Sequence, residues 1–186
     1  MTLTQQRIGP AEFLKLPEEK PALEYMDGMV SQKVSPKARH SRLQRELADQ
    51  VNAFARPRHA AEAFPELRAT FAGASPVPDV SILRWDRIPY DDKDIIVDDI
   101  TEAPAIAVEI VSPDQSVNAL IQRCLWYVSN GVEIALLIDP DDESIVAFRH
   151  GLEPRVLRGQ DRIDLDEVLP GFLLTADELF NSLRRP

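Results

Sequence analysis

The sequence predicts one mixed α/β domain, an α+β mixed sheet flanked by helices, and three observations carry that prediction. Asp27-Gly28 separates two short β-rich runs as a tight hairpin turn would. Leu43, Leu47, Val51 and Phe54 recur at helical spacing. The passage from Ile106 to Ile138 reads strand, helix, strand, and is long enough for a crossover that leaves its strands parallel.

Taken in order, PAEFLKL at 10–16 predicts a short opening helix. Ala22–Tyr25 and Met29–Val34 predict the strands of the hairpin, because both turn positions tolerate positive φ. Ser35-Pro36 supplies an N-cap and a first-turn proline for a helix over about 36–55. Ala69–Phe71 is expected to pair with Asp79–Leu83 across the turn-forming GASPVP. Ile106–Val111 is an apolar strand, and the acidic stretch between these strands, 86–104, reads as a loop or lid of low order. After Ser112-Pro113-Asp114 a second helix runs to about Asn130, with Ile121, Cys124, Leu125 and Val128 inward, and Asn130-Gly131 stops it. Val132–Ile138, Ser144–Arg149, a further hairpin and a helix over Thr175–Leu183 complete the order α-β-β-α-β-β-β-α-β-β-β-α.

Length and composition bound the answer. At 186 residues and 44% apolar content, the chain closes one core, so 1–186 is read as a single domain. No leader pattern opens it and no apolar run approaches a membrane span, so a soluble, cytoplasmic protein without membrane contact is expected. The single cysteine, Cys124, excludes an internal disulfide and thiolate zinc sites. A net charge of −10 argues against sequence-independent coating of nucleic acid, which is driven by counterion release to Lys and Arg. The segment 33–58 nevertheless carries a local excess of five positive charges, through Lys33, Lys37, Arg39, Arg42, Arg45, Arg56 and Arg58. It could meet DNA along one face; a solvated helix surface accounts for it equally well.

The chemistry points to acids. Glu109 sits inside IAVEIV, where a bare carboxylate costs several kcal/mol unless it is paired or bound to metal. Strand alternation puts it on one face with Ala107 and Val111. Asp79 follows Pro78 at the start of a neighbouring strand. A hard cation held between two such carboxylates can activate water and relieve charge on a phosphate. An arginine ion pair for Glu109, and a plain Pro-Asp turn for Asp79, are the competing accounts.

Pro-Asp, a loop of about thirty residues and then Glu-x-Val-Ser-Pro resembles the PD-(D/E)XK nuclease superfamily, the restriction-endonuclease-like fold. LEYMDGMVSQKVSP, His40, VPDVSIL, APAIAVEIVSPDQS, YVSNGVEIALLIDP and LPGFLLTADELF, in that order, further resemble the Uma family within it, known as a domain of unknown function. The resemblance implies a restriction-endonuclease-like core and a DNA-cleaving endonuclease dependent on Mg²⁺ or Mn²⁺. Asp79 and Glu109 would bind the metal with the Ile110 carbonyl, Glu24 would complete the site through water, and His40 would stand at its edge. The chain departs from the superfamily at the lysine expected two residues after the second acid, where it has Val111. The Uma pattern places a lysine four residues before the helix tyrosine, here Tyr127, and this chain has Arg123 there. Arginine keeps the charge and binds phosphate but handles protons poorly. A catalytically weakened nuclease-fold module that binds nucleic acid or protein is therefore the alternative, and an acidic interaction protein a third. A homodimer through the C-terminal hairpins is a further expectation.

His40 is expected to project from the first long helix toward Glu24, with simple packing as the other account. Ser112 reads as the cap of the second helix, since no His/Asp pair is evident to activate it as a nucleophile. Of Trp126 and Tyr127 at least one belongs to the core, since neighbours on a helix cannot share a face. Tyr90, in the acidic loop, could close over a substrate or serve no such role.

Overall fold

The computed structural model describes residues 8–113 and 115–185. The leader-pattern reading of residues 1–7 and Asp114 of the turn before the second long helix fall outside them. After α1 (Pro10–Phe13), the strands β1 (Leu23–Met26) and β2 (Met29–Gln32) form an antiparallel hairpin whose turn residues Asp27 and Gly28 have φ of 51° and 80°. That is the backbone the Asp-Gly pair predicts.

The helix α2 (Ala38–Ala55) starts later than the Ser35-Pro36 signature implies: Lys37 holds the extended N-cap position and offers no side-chain cap. The chain instead runs without helix from the hairpin to Ala38, over the span that carries Lys33 into the interior. Leu43, Leu47 and Val51 are fully buried along its stripe, and Phe54 packs partly buried against the same core.

A strand the sequence reading overlooks, β3 (Ala61–Pro65), follows and pairs antiparallel with β4 (Val80–Arg84). Ala69 and Phe71, expected as the partner of β4, make only isolated bridges, to Ile100 and Ala74. Alanine is a poor strand former, so AEAF hides a clear alternation of buried Ala61 and Ala63 with half-buried Glu62 and Phe64. The acidic stretch 86–104 lacks regular strands, yet Ile88 and Ile100 anchor it in the core.

The remaining elements are β5 (Ile106–Ile110), α3 (Val117–Ser129), β6 (Ile134–Asp139), β7 (Ser144–Arg149), β8 (Arg155–Leu157) and α4 (Ala176–Asn181). A six-stranded sheet runs β3-β4-β5-β6-β7-β8, parallel only between β5 and β6. This is the crossover expected around α3. On α3 the buried residues are Leu120, Cys124, Tyr127 and Val128, whereas Leu125 is exposed and Ile121 only partly buried. The inward stripe is thus rotated from the expected one, and the helix begins at Ser116, whose side-chain oxygen accepts from Ala119 N–H, rather than at Ser112. Thr175 and Glu178 form the capping box that starts α4.

Each face of the sheet carries its own core. Val80, Ile82, Ile106, Val108 and Ile110 pack with α2, α4 and the chain around Leu165–Leu174. Leu83, Ala107, Val111, Ala135 and Leu137 pack with α3. Each fully buried Leu or Ile side chain stabilises by about 1.5–3 kcal/mol, so the two faces fix the register of every strand between them. Among the described residues no helix is long and apolar enough to cross a membrane.

Candidate active site

Alternation along β5 turns Ala107, Glu109 and Val111 to the α3 side, and alternation along β4 does the same for Asp79, Ser81 and Leu83. Val80 pairs with Val108, so Asp79 and Glu109 come next on adjacent strands and share a face. Both are 2% exposed, as is Glu24. Three acids removed from water need partners, and each has them.

Asp79 is held through both oxygens: Ile110 N–H donates to Oδ2 at 2.7 Å, and Lys33 Nζ donates to Oδ1 at 2.6 Å. His40 Nε2 lies 3.3 Å from the same Oδ1, within ion-pair reach but out of line for a hydrogen bond. Burial alone would raise the Asp79 pKa; His40 and Lys33 together outweigh it and hold the carboxyl below its usual range. Gln44 reaches up from α2 to donate to the Asp79 carbonyl at 2.7 Å.

Glu109 is served less well. Tyr127 Oη donates to Oε1 at 2.7 Å, and Arg123 stands 3.5 Å from that oxygen. Burial raises its pKa to about 7; Arg123 pulls the other way, and the Asp79 charge adds to the rise. Arg123 spends two N–H groups on Glu24, at 2.7 and 2.8 Å, in a bidentate pair. Tyr127 is fully buried, its hydroxyl raised well above the usual phenol range by burial and by Glu109.

The segment Ser75–Pro78 before Asp79 is buried, and its two prolines carry no N–H. Ala69 N–H donates to the Pro76 carbonyl at 3.1 Å, and the hairpin serves Ser75 and Val77. Tyr25 and Ser75 exchange backbone hydrogen bonds, Glu24 Oε1 accepts from Val77 N–H at 2.8 Å, and Lys33 Nζ donates to the Val77 carbonyl at 2.7 Å. Val77 is thereby gripped on both sides by the hairpin, two residues ahead of Asp79.

Of the residues singled out in the sequence, Asp79, Glu109, Glu24, Arg123 and His40 lie in one connected network, and the Ile110 amide belongs to it. His40 differs from its expected aim: it meets Asp79 and, through Nδ1, Ser112 Oγ at 3.0 Å, not Glu24. It also lines a cavity of about 220 Å³ with Lys37, Arg39, Ser112 and Pro140, which brings the solvent side close to Asp79. Trp126 packs at a tilt against Phe71 and edge-on to the Tyr127 ring, and Tyr90 is exposed.

Sequence reasoning misses Lys33, which composition groups with the basic segment. Its side chain is only 7% exposed. A signal is present, because a two-residue turn at Asp27-Gly28 sets Glu24 opposite Ser31. Lys33, two residues on, then shares the face of Glu24.

The Uma2 family model, described as "putative restriction endonuclease", matches residues 10–177. A solved structure, described as a putative nuclease belonging to DUF820 from Anabaena variabilis ATCC 29413, is 36% identical, with a TM-score of 0.91 over 95% of this chain and 99% of that one. A DrdV-DNA complex, 13% identical over 80% of this chain and 14% of its own, reaches a TM-score of only 0.32 and carries no weight. No curated protein matches. The restriction-endonuclease-like nuclease fold is therefore established by an alignment that spans nearly the whole chain, and the chain belongs to the Uma2 family.

Proposed function

We propose that the chain is a divalent-metal-dependent endonuclease that hydrolyses DNA phosphodiester bonds at the Asp79 and Glu109 pair. The observation that carries this reading is the pair itself: two buried carboxylates on one sheet face of a nuclease fold, at a cost an ordinary solvated surface would avoid.

Among the described residues no three His, Cys, Asp or Glu side chains gather as a ready metal cage. A hard cation such as Mg²⁺ asks for less, since one or two carboxylates suffice when water fills the other positions. The donor set is of that kind. Val111 N–H is taken by Ile138 on β6, so Ile110, its neighbour, turns its N–H and carbonyl to the β4 side where Asp79 stands. Asp79, Glu109 and the Ile110 carbonyl are the groups that would hold Mg²⁺ or Mn²⁺. The bound ion would supply an activated water and neutralise charge on the phosphate.

The chain's own residues do the rest. In the hydrolysis a water oxygen bonds to phosphorus, the ester P–O bond breaks, and the departing oxygen takes up a proton equivalent to the one the water gives to solvent. Arg123 keeps a fixed positive charge beside Glu109 and, by locking Glu24, fixes the Val77 peptide that carries Asp79. His40 holds Asp79 from the cavity side. Arg42 and Arg45 are exposed on the outer side of α2, away from its buried stripe, and with Lys37 and Arg39 at the helix start they would offer a face for the DNA backbone.

A second reading, a nuclease scaffold retained for binding without turnover, is favoured by one observation: every acid of the site already has an internal cation or donor. A cleavage assay on single- and double-stranded DNA separates the two. Mn²⁺-dependent cleavage that falls to background in both Asp79→Ala and Glu109→Ala supports the enzyme. Cleavage undiminished in both variants refutes the site. Metal binding without cleavage in the wild type favours the scaffold.

A further inference from the structure

We propose that Lys33 is the phosphate-facing cation of this site, filling from the N-terminal hairpin the role that neither position 111 nor position 123 fills with a lysine, and that it occupies the Asp79 oxygen for which a divalent ion competes. The inference rests on the nuclease reading above.

Lysine is almost never buried unless paired, and this one is buried against Asp79, the residue just before β4. Its ammonium has three donors. Among the described residues one is spent on Asp79 Oδ1 at 2.6 Å and one on the Val77 carbonyl at 2.7 Å, which leaves the third for a ligand. Arg123 has no comparable freedom, since its guanidinium is clamped in a planar, bidentate grip on Glu24. Lys33 is a compact point charge on a flexible stem, suited to shift by an ångström or two and still remain beside the acids.

The two oxygens of Asp79 also differ. Oδ2 is tied to the backbone of Ile110, while Oδ1 carries the mobile cation. A metal ion approaching Oδ1 meets a like charge, and the two must divide the carboxylate between them. Lys33 thus keeps Asp79 ionised and aimed before the ion arrives. Once displaced from Oδ1, its ammonium remains anchored near Val77, next to the acids, where a phosphate oxygen would enter.

Titration calorimetry with MnCl₂ on Lys33→Met and wild type tests the competition without any turnover. A unit charge a few ångströms away, even heavily screened, changes affinity by about tenfold or more, so the variant should bind Mn²⁺ at least about tenfold more tightly. Its cleavage rate should fall by at least about 100-fold, the loss seen when one charge-stabilising donor is removed from a reacting centre. Unchanged or weaker Mn²⁺ binding by a folded variant overturns the competition, and wild-type cleavage by it overturns the catalytic role. Should Lys33→Met fail to fold, the wild type labelled with ¹⁵N-lysine provides the measurement, because the shielded Lys33 ammonium resonance should move on Mg²⁺ addition. A resonance unmoved at saturating Mg²⁺ refutes the displacement. Wild type that binds Mn²⁺ yet cleaves no DNA refutes the nuclease reading instead, and the calorimetric comparison still decides where Lys33 stands.

Discussion

Replacing Glu109 by glutamine should stabilise the protein above neutrality and leave it little changed in mild acid. The carboxyl titrates at about 7 in the folded chain against an ordinary value of 4.5. Between those values the folded chain keeps a proton that the unfolded chain has released, so stability falls as pH rises through this window and levels off above 7. At about 1.36 kcal/mol per pH unit, the carboxylate costs the native state about 3 kcal/mol at pH 8 relative to pH 4.5. The amide introduced by Glu109→Gln retains an oxygen for the Tyr127 hydroxyl and never ionises, which removes the cost. Urea unfolding of both proteins from pH 5 to 8.5, with chelator present, reads the difference directly, and contributions from other groups cancel in it. Curves that stay parallel across that range would falsify the account of Glu109 as an ionisable group buried with too little compensation.

If Glu109 is a metal ligand as proposed, binding of Mn²⁺ at pH 6 should expel close to one proton, because the carboxyl must ionise, and none at pH 9; calorimetry in buffers of different ionisation enthalpy measures this. Asp79 behaves oppositely: its pKa lies below 3.8, so it contributes stability above that value that is lost as pH falls through its folded pKa, and Asp79→Asn should flatten this acid limb of unfolding. Arg123→Leu leaves Glu24 and Glu109 without their cation and should cost about 3–5 kcal/mol in urea unfolding. Arg123→Lys keeps the charge but loses the fork, and about 1–2 kcal/mol is expected. Cys124 is fully buried, and burial, with Glu109 nearby, lifts its thiol above the ordinary range, so a thiol reagent should label it only on unfolding.

Much of the fold was legible because its signals are local. Asp27-Gly28 announces its turn, IAVEIV its strand, and the apolar period of α2 its inner stripe. What escaped reading depends on competition between neighbours. Ser35, Ser112 and Ser116 are all plausible caps by type, and only the packing of α3 selects Ser116. In β3, small alanines and a terminal proline hide an alternation that tertiary pairing with β4 makes secure. Within the site, Glu109 announced itself by its isolation among aliphatic residues. Lys33 did not, since a lysine among basic neighbours looks solvated until the hairpin register is followed across its turn.

The grip of the hairpin on Val77 has a temporal consequence. Glu24 and Lys33 leave the ribosome about fifty residues ahead of the peptide they clamp, and β5 with Glu109 emerges about thirty residues later still. Until those later segments exist, the early pair has no partner to hold and Asp79 has no ordered surroundings. The network is therefore assembled from segments made at widely separated times, the hairpin first and α3 last. A nascent chain can bury these acids in partnered form only once it has been made as far as Tyr127.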